Sequence, residues 1–207
     1  SMTHPLTITM TSCDRWDLFQ QTLDSFFKLN SYPYVAFHVH NDSVNPIPIE
    51  IKAKYADKGI TWHEGTKRGL SAAWDYLVQL VETEYFLNLE DDFAFSGNEN
   101  FIQDSFDWLG ICDQVWIRDE KDHRHPLLPL PDTEVKQVKW IDDWCGFSFN
   151  PSVRKKSRWL ELFPRGIKGK DEIDLSREVY FGYNALSLIN SACRHIGNGR
   201  HTKDFKI

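Results

Sequence analysis

Three consecutive acids, Glu90-Asp91-Asp92, follow directly on Tyr85-Phe86-Leu87-Asn88-Leu89, and aromatic Phe93 and Phe95 resume at once. A short apolar run bounded by polar residues reads as a buried strand, which puts the acids at its carboxyl end. Carboxylates there are costly to bury unpaired, and they repel one another, which calls for a counter-charge. A hard divalent cation answers both demands, because Mg²⁺ and Mn²⁺ take carboxylate oxygens and keep positions open for phosphate. The alternative is a solvated acidic turn.

The same sheet edge gathers further candidates. A first strand, Leu6 to Thr11, runs into Ser12-Cys13-Asp14-Arg15, and a second, Val35 to His40, ends in Asn41-Asp42-Ser43. A turn with Lys67-Arg68-Gly69 leads into a helix. In an open parallel sheet these ends share one edge, where ligands sit. Asp42 offers a hydrogen-bonding acid to a base or ribose. Arg15, Arg68, the helix N-terminus and a metal offer the charge and N–H groups that a diphosphate needs. Later, Asp171-Glu172 opens a predicted helix, whose dipole favours ionised carboxylates. Adjacent helical positions diverge by about 100°, so one acid carries the chemistry and the other tunes or caps.

Positioning these groups takes an alternating chain. Asp14 with Asp17 reads as a helix N-cap signature, and Phe19, Leu23, Phe26 and Phe27 follow at helical spacing. A helix over 49–58 ends at Gly59, a third strand covers Ile60 to His63, and Leu70, Ala73, Trp74, Leu77 and Val81 form an amphipathic helix. Strand and helix alternate over the first 95 residues, which predicts βαβ units and a largely parallel sheet. The remainder is less regular: a helix at 99–109, a strand at Val115 to Arg118, a long loop over 119–137, a strand at Trp144 to Phe149, a helix at Pro151 to Phe163, a helix at Glu172 to Phe181 and a strand at Leu186 to Ile196. The stretch 165–170 reads as a flexible loop able to close over a ligand. Trp140, Trp144 and Phe147 serve either as core or as an aromatic platform for a ligand.

The chain has 207 residues, which suits one domain, and 14% aromatics, enough for a core and a cleft. A net charge of −6 argues against a generic polyanion binder. The basic run Arg154-Lys155-Lys156-Ser157-Arg158 accordingly reads as a solvated helix face rather than a nucleic-acid contact. No apolar run approaches the ~20 residues of a membrane span, and the start lacks the pattern of a signal peptide. Cys13, Cys112, Cys145 and Cys193 are widely spaced, as reduced thiols of a cytosolic protein are.

The order of these pieces resembles the GT-A class of sugar-nucleotide-dependent glycosyltransferases, in particular glycosyltransferase family 2 and related viral and bacterial enzymes. The matching stretches are Thr11-Ser12-Cys13-Asp14-Arg15, Leu23-Asp24-Ser25-Phe26, Asn41-Asp42-Ser43, Arg68-Gly69-Leu70-Ser71-Ala72-Ala73 and Glu90-Asp91-Asp92, then Gly146 to Pro151, Asp171 to Leu175 and His195-Ile196-Gly197. The resemblance implies a single α/β domain of GT-A fold over 2–207, with a Rossmann-like, mostly parallel sheet flanked by helices. Residues 2–95 would form the nucleotide-binding half and 96–207 a smaller, irregular acceptor-binding half. It implies that Thr11, Cys13, Arg15, Asp42, Arg68, Leu70, Ser71, Glu90 and Asp91 line the nucleotide. In the family's Asp-x-Asp motif Glu90 and Asp92 stand first and third, so Asp92 is the expected ligand of Mn²⁺ or Mg²⁺, with Glu90 acting through water or on the ribose. His195 and His201 are expected to complete the metal shell. Glu172 is the expected general base, with Asp171 its competitor.

The expected activity is metal-dependent transfer of a sugar, with inversion, from a nucleoside-diphosphate sugar, UDP-linked by family frequency, to a hydroxyl of a glycan or other acceptor. The expected location is the cytoplasm, the host's if the chain is viral. A sugar-1-phosphate nucleotidyltransferase is one rival, but it needs a glycine-rich loop after the first strand, and 11–15 holds no glycine. A non-catalytic carbohydrate-binding protein is the other, and it has no use for acids at both places.

Overall fold

The structure is a computed structural model and describes residues 3–198; His201 lies outside them. In chain order the elements are β1 (Leu6–Ser12), α1 (Trp16–Leu29), β2 (Ala36–Asn41), α2 (Ile49–Lys54), β3 (Ile60–His63), α3 (Leu70–Leu80), β4 (Tyr85–Leu89), β5 (Phe93–Phe95), α4 (Phe101–Trp108), β6 (Gln114–Trp116), β7 (Leu127–Pro129), β8 (Val135–Val138), β9 (Ser152–Lys155), α5 (Lys156–Leu162), α6 (Glu172–Val179), β10 (Ala185–Leu188) and β11 (Cys193–His195).

The main sheet has the order β3-β2-β1-β4-β9, the first four strands parallel and β9 antiparallel at the edge. All seven residues of β1 are buried, as a central strand covered on both faces must be. Its side chains alternate: Leu6, Ile8 and Met10 join a core with Phe19, Leu23 and Phe26 of α1, Ile51 of α2 and Phe101 of α4. The opposite face of the sheet carries a second core in which Phe86 of β4 meets Trp74 and Val78 of α3, Trp159 of α5 and Leu175 of α6. Helices therefore cover both faces, and β4 contributes to both cores through the period-2 alternation of Phe86 against Leu87 and Leu89. A second sheet, β6-β10-β8-β7, and a two-stranded antiparallel ribbon, β11-β5, extend the structure past β4. The four cysteines are free thiols.

The first half follows the expected alternation, with one local exception. Asp14 does not cap α1: Arg15 is the N-cap residue and makes no side-chain cap. Asp14 instead takes a left-handed conformation, φ 56°, and its carboxylate accepts from Ser43 Oγ at 2.7 Å, tying the β1 and β2 ends together.

The second half departs further. Trp144 to Phe149 is no strand: Gly146 at φ 98° breaks the extended run, and Cys145 to Phe149 is a buried connector. The helix expected from Pro151 divides into β9, which pairs with the open edge of β4, and α5. The apolar spacing of Trp159 and Phe163 fitted a helix, but it says nothing about residues before Lys156. The strand expected over Leu186 to Ile196 divides into β10 and β11, because a turn at 189–192 lends its Asn190 and Ser191 carbonyls to Asn98. The 119–137 loop contains a 3₁₀ turn at Glu120–Asp122, β7 and the start of β8. The 165–170 stretch is fastened rather than loose. Asp75 of α3 accepts from Ile167 and Lys168 N–H at 2.9 and 3.0 Å, and Ser71 Oγ accepts from Gly169 N–H at 2.9 Å.

That fastening gives a stability prediction. Asp75→Ala leaves two backbone N–H groups without their acceptor and should cost about 1–3 kcal/mol in urea unfolding, with faster hydrogen exchange at Ile167 and Lys168. Unchanged stability and exchange would show the stretch to be held by something else.

Candidate active site

The carboxyl ends of β1 and β4 meet through charge. Asp91 pairs with the Arg15 guanidinium and accepts from the Cys13 N–H at 3.4 Å. Arg15 also reaches Asp92 Oδ2 at 3.5 Å. Burial works against the Arg15 charge, but Asp91, Asp92 and Glu90 outweigh it. Burial pushes the Asp91 carboxyl up to about 6, with Arg15 holding it down and Asp92 raising it. Arg15, offered by its sequence position to a diphosphate, is therefore engaged with the strand-end acids.

Asp92 is 4% exposed. Its Oδ2 lies 2.9 Å from His195 Nε2, while its Oδ1 is buried with no hydrogen-bond partner among the described residues. The β5–β11 ribbon makes this pair, setting His195 opposite Phe93, the residue after Asp92. The Ile196 N–H donates to the Asp92 carbonyl at 2.8 Å, fixing the crossing. Gly197 is needed there, because a Cβ would stand 2.8 Å from Asp92 Cβ, closer than side chains tolerate. The His195 pKa is raised, chiefly by its hydrogen bond to Asp92 and against its burial. Its Nδ1 faces Asn198 Oδ1 at 3.1 Å, so an imidazolium donates at both nitrogens.

Glu90 and Glu172 lie near enough for their charges to act on each other. The Glu90 carboxyl is pushed well above the usual range by burial first, then by Asp92, Glu172 and Asp91. Glu172, the first residue of α6, is raised to about 7 by burial, against Arg154, the Phe149 N–H and Arg118, which favour its ionised form. Asp171 is the N-cap of the same helix. It accepts from the Asp174 N–H at 2.9 Å while Asp174 accepts from the Asp171 N–H at 3.0 Å, a reciprocal capping box. The two adjacent acids thus divide their tasks: Asp171 closes the helix end, and Glu172 turns to the acids of β4.

Asp42 is 5% exposed and is turned onto the loop before α3. Its carboxylate accepts from the N–H groups of Arg68 at 2.6 Å and Gly69 at 3.1 Å. Gly69, at φ 90°, begins α3 in a conformation that side chains rarely adopt. The acid offered to a base or ribose therefore shapes the loop. Arg68, offered to a diphosphate, stacks on Tyr76 at 4.1 Å and donates to His40 Nε2 at 3.1 Å. Thr11 is buried within β1, Leu70 opens α3, and Ser71 holds Gly169. Lys67 Nζ, passed over as a site residue, approaches Cys13 Sγ at 4.0 Å and the Asp42 carbonyl at 3.5 Å.

Of the aromatic trio, Phe147 is fully buried. Trp144 packs edge-on against His125 at 4.0 Å. Trp140, 43% exposed, tilts over Tyr180 at 4.9 Å. Two arginines near the site escaped the sequence reading. Arg118 bonds Asp122 at 2.8 Å and lies over Phe93, while Asp122 also receives the His195 N–H at 2.6 Å. Arg154, expected on a solvated helix face, is 3% exposed beneath Glu90 and Glu172. No spacing marks either one; only the pairing of β9 with β4 turns Arg154 inward.

The residues fit a hard divalent cation. Among the described residues Asp92 Oδ1 has no hydrogen-bond partner, and His195 lies beside its other oxygen. No group of three or more His, Cys, Asp and Glu is preassembled among the described residues, so phosphate and water oxygens would fill the remaining positions.

No protein-family model and no curated protein matches the chain. Solved structures do match. S. aureus TarS 1-349 in complex with UDP-GlcNAc superposes with a TM-score of 0.66 at 12% identity, over 97% of this chain and 60% of that one. The mannosyltransferase PcManGT from Pyrobaculum calidifontis, in complex with GDP-Man and Mn²⁺, gives 0.66 at 15% identity, over 97% and 59%. GalNAc-T7 with UDP, GalNAc and Mn²⁺ gives 0.67 at 12% identity, over 98% and 47%. At these identities the likeness is one of fold, and the fold is GT-A: mixed α/β with a mostly parallel central sheet flanked by helices. The chain spans 47–60% of the length of these proteins. No helix among the described residues is long and apolar enough to cross a membrane.

The Asp92–His195 bond sets a direction that can be measured. Asp92→Asn removes the charge that raises His195 while burial continues to lower it. The His195 ring should then titrate by NMR below its wild-type midpoint. A midpoint that does not move would separate the two residues.

Proposed function

We propose that the protein is a metal-dependent glycosyltransferase. It transfers a sugar from a nucleoside-diphosphate sugar, UDP-linked, to a hydroxyl of a glycan or other acceptor, with inversion. The observation that carries this reading is the opposition of Glu172 at the N-terminus of α6 to the acids at the end of β4, with His195 brought onto Asp92. The nucleotide sugars and Mn²⁺ bound by the fold's neighbours support the donor class and the metal.

Asp92 and His195 would hold the metal, which neutralises charge building on the leaving diphosphate when bound. Arg15 keeps Asp91 ionised beside it and fixes the β1 end that borders the donor. The backbone from Thr11 to Arg15, the α3 loop shaped by Asp42, and Lys67 frame the nucleotide. Glu172 accepts the acceptor hydroxyl's proton as that oxygen attacks the anomeric carbon. A base titrating at about 7 suits that task near neutral pH. Because only the ionised form accepts a proton, kcat should rise with pH through about 7 and level above it. Attack from the Glu172 side, opposite the diphosphate, inverts the anomeric centre.

The test is a panel of sugar nucleotides with and without Mn²⁺, followed by nucleoside-diphosphate release. Wild-type protein should hydrolyse one donor slowly in the presence of metal and turn over faster with acceptor, and Asp92→Ala should abolish both while remaining folded. Glu172→Gln should lower kcat by roughly 10²–10⁴ with donor affinity retained, and Asp171→Asn should lose far less. Near-normal turnover by Asp92→Ala removes the metal assignment. A dead Asp171→Asn beside an active Glu172→Gln moves the base to Asp171. Pyrophosphate release from a nucleoside triphosphate and sugar phosphate would instead mark a nucleotidyltransferase.

A further inference from the structure

Arg154 carries a charge where an apolar side chain would be expected. It lies on β9 opposite Phe86, and its guanidinium sits among three aromatic rings, with the Trp74, Trp159 and Phe147 centroids at 5.2, 5.6 and 5.8 Å. Burying a guanidinium is costly unless its N–H groups are matched and its charge is used. Much of it is matched: Nε donates to Asn88 Oδ1 at 2.6 Å, and Nη2 donates to the Ser148 carbonyl and, at 3.2 Å, to the Asn150 carbonyl. Asn88 returns a bond from Nδ2 to the Phe149 carbonyl at 2.9 Å. The carbonyls of 148, 149 and 150 are thus all gathered by one Arg–Asn pair. The Phe149 N–H is left to bond the Glu172 carboxylate.

We propose that Arg154 is a positioning residue for Glu172, a caged cation that holds the 148–150 connector so that the Phe149 N–H meets the Glu172 carboxylate. This rests on the reading of Glu172 as the base. The cage explains why an arginine is used. Its planar face stacks on the rings while its edge bonds the carbonyls, which the ammonium of lysine cannot do at once. The other groups acting on Glu172 are Arg118, which also favours the anion, and Glu90 and Asp171, which oppose it. Arg154 itself also faces Glu90 and the Tyr183 hydroxyl. Among the influences that favour the Glu172 anion, Arg154 is the largest.

The experiment compares Arg154→Met, which fills the cage without charge, with Arg154→Lys, which keeps charge without the fork. The readouts are the pH profile of kcat, the donor KM and the titration of the Glu172 carboxyl carbon by ¹³C NMR, assigned by its loss in Glu172→Gln. Removing the cation removes a lowering influence, so the acid limb of kcat should move upward. Arg154→Met should shift it by about one pH unit, lowering kcat about tenfold on the acid limb. At high pH its rate should recover toward wild type, with donor KM unchanged. Arg154→Lys should shift less than Arg154→Met. If Arg154→Met fails to fold, Arg154→Gln, which still donates to a carbonyl, carries the same expectation. An acid limb and a carboxyl midpoint that stay at their wild-type values in a folded uncharged variant, or equal shifts for Lys and Met, overturn the proposal. The carboxyl titration reports on Arg154 even if Glu172→Gln proves active, so failure of the base assignment and failure of this inference give different results.

Discussion

Everything at the sheet edge follows from the crowding of Glu90, Asp91, Asp92 and Glu172 around one cleft. Unit charges 4 Å apart repel by about 4 kcal/mol even at an effective dielectric of about 20, a large fraction of the stability of a domain. The chain offsets this with cations drawn from separate elements, Arg15 from the β1 end, Arg118 after β6 and Arg154 on β9, and sets the His195 imidazole of β11 against Asp92. What they leave is uneven. Asp91 is matched by Arg15, while Glu90 is pushed toward its neutral form and Asp92 keeps one oxygen without a partner among the described residues. That residue of unbalanced charge is the physical basis of the proposal that a divalent ion binds at Asp92, near the acid on α6.

The topology exists to bring those cations in. β1 and β4 are adjacent and parallel, so Arg15 and Asp91, 76 residues apart, meet at the same edge. The β5–β11 ribbon returns the chain to Asp92 from 103 residues away. β9 runs antiparallel beside β4, and this reversal sends Arg154 under the site instead of along the surface. The connector 145–149 then passes between β9 and α6. It is buried although it is neither strand nor helix, because its carbonyls and N–H groups find partners in Arg154, Asn88, Gln114 and Ser176.

The sequence exposed the parts governed by local periodicity. The alternation in Leu6 to Thr11, the helical spacing of Phe19, Leu23 and Phe26, and the acids at the end of Tyr85 to Leu89 each have a short-range cause, and the parallel half of the sheet was legible from them. Asp42 and Arg68 were visible as strand-end and turn residues, but their use in shaping the α3 loop depends on a contact between positions 26 residues apart. Arg154 was the instructive failure. A basic run before an apolar helical pattern reads as a solvated face, and only the open edge of β4, a tertiary fact, converts it to a strand. Arg118 gave no signal for the same reason: its partners are assembled by the β11 crossover.

The proposed chemistry requires the metal and the diphosphate to meet at Asp92 within reach of Glu172. Paramagnetic broadening by Mn²⁺ in the presence of UDP measures this directly, since the effect falls steeply with distance. The account predicts that the His195 ring signals vanish at substoichiometric Mn²⁺ and that the Glu172 carboxyl carbon broadens strongly, while the hydrogen-bonded His38–His63 pair on β2 and β3 stays sharp. Broadening centred on His38 and His63 with His195 and Glu172 unaffected would contradict it.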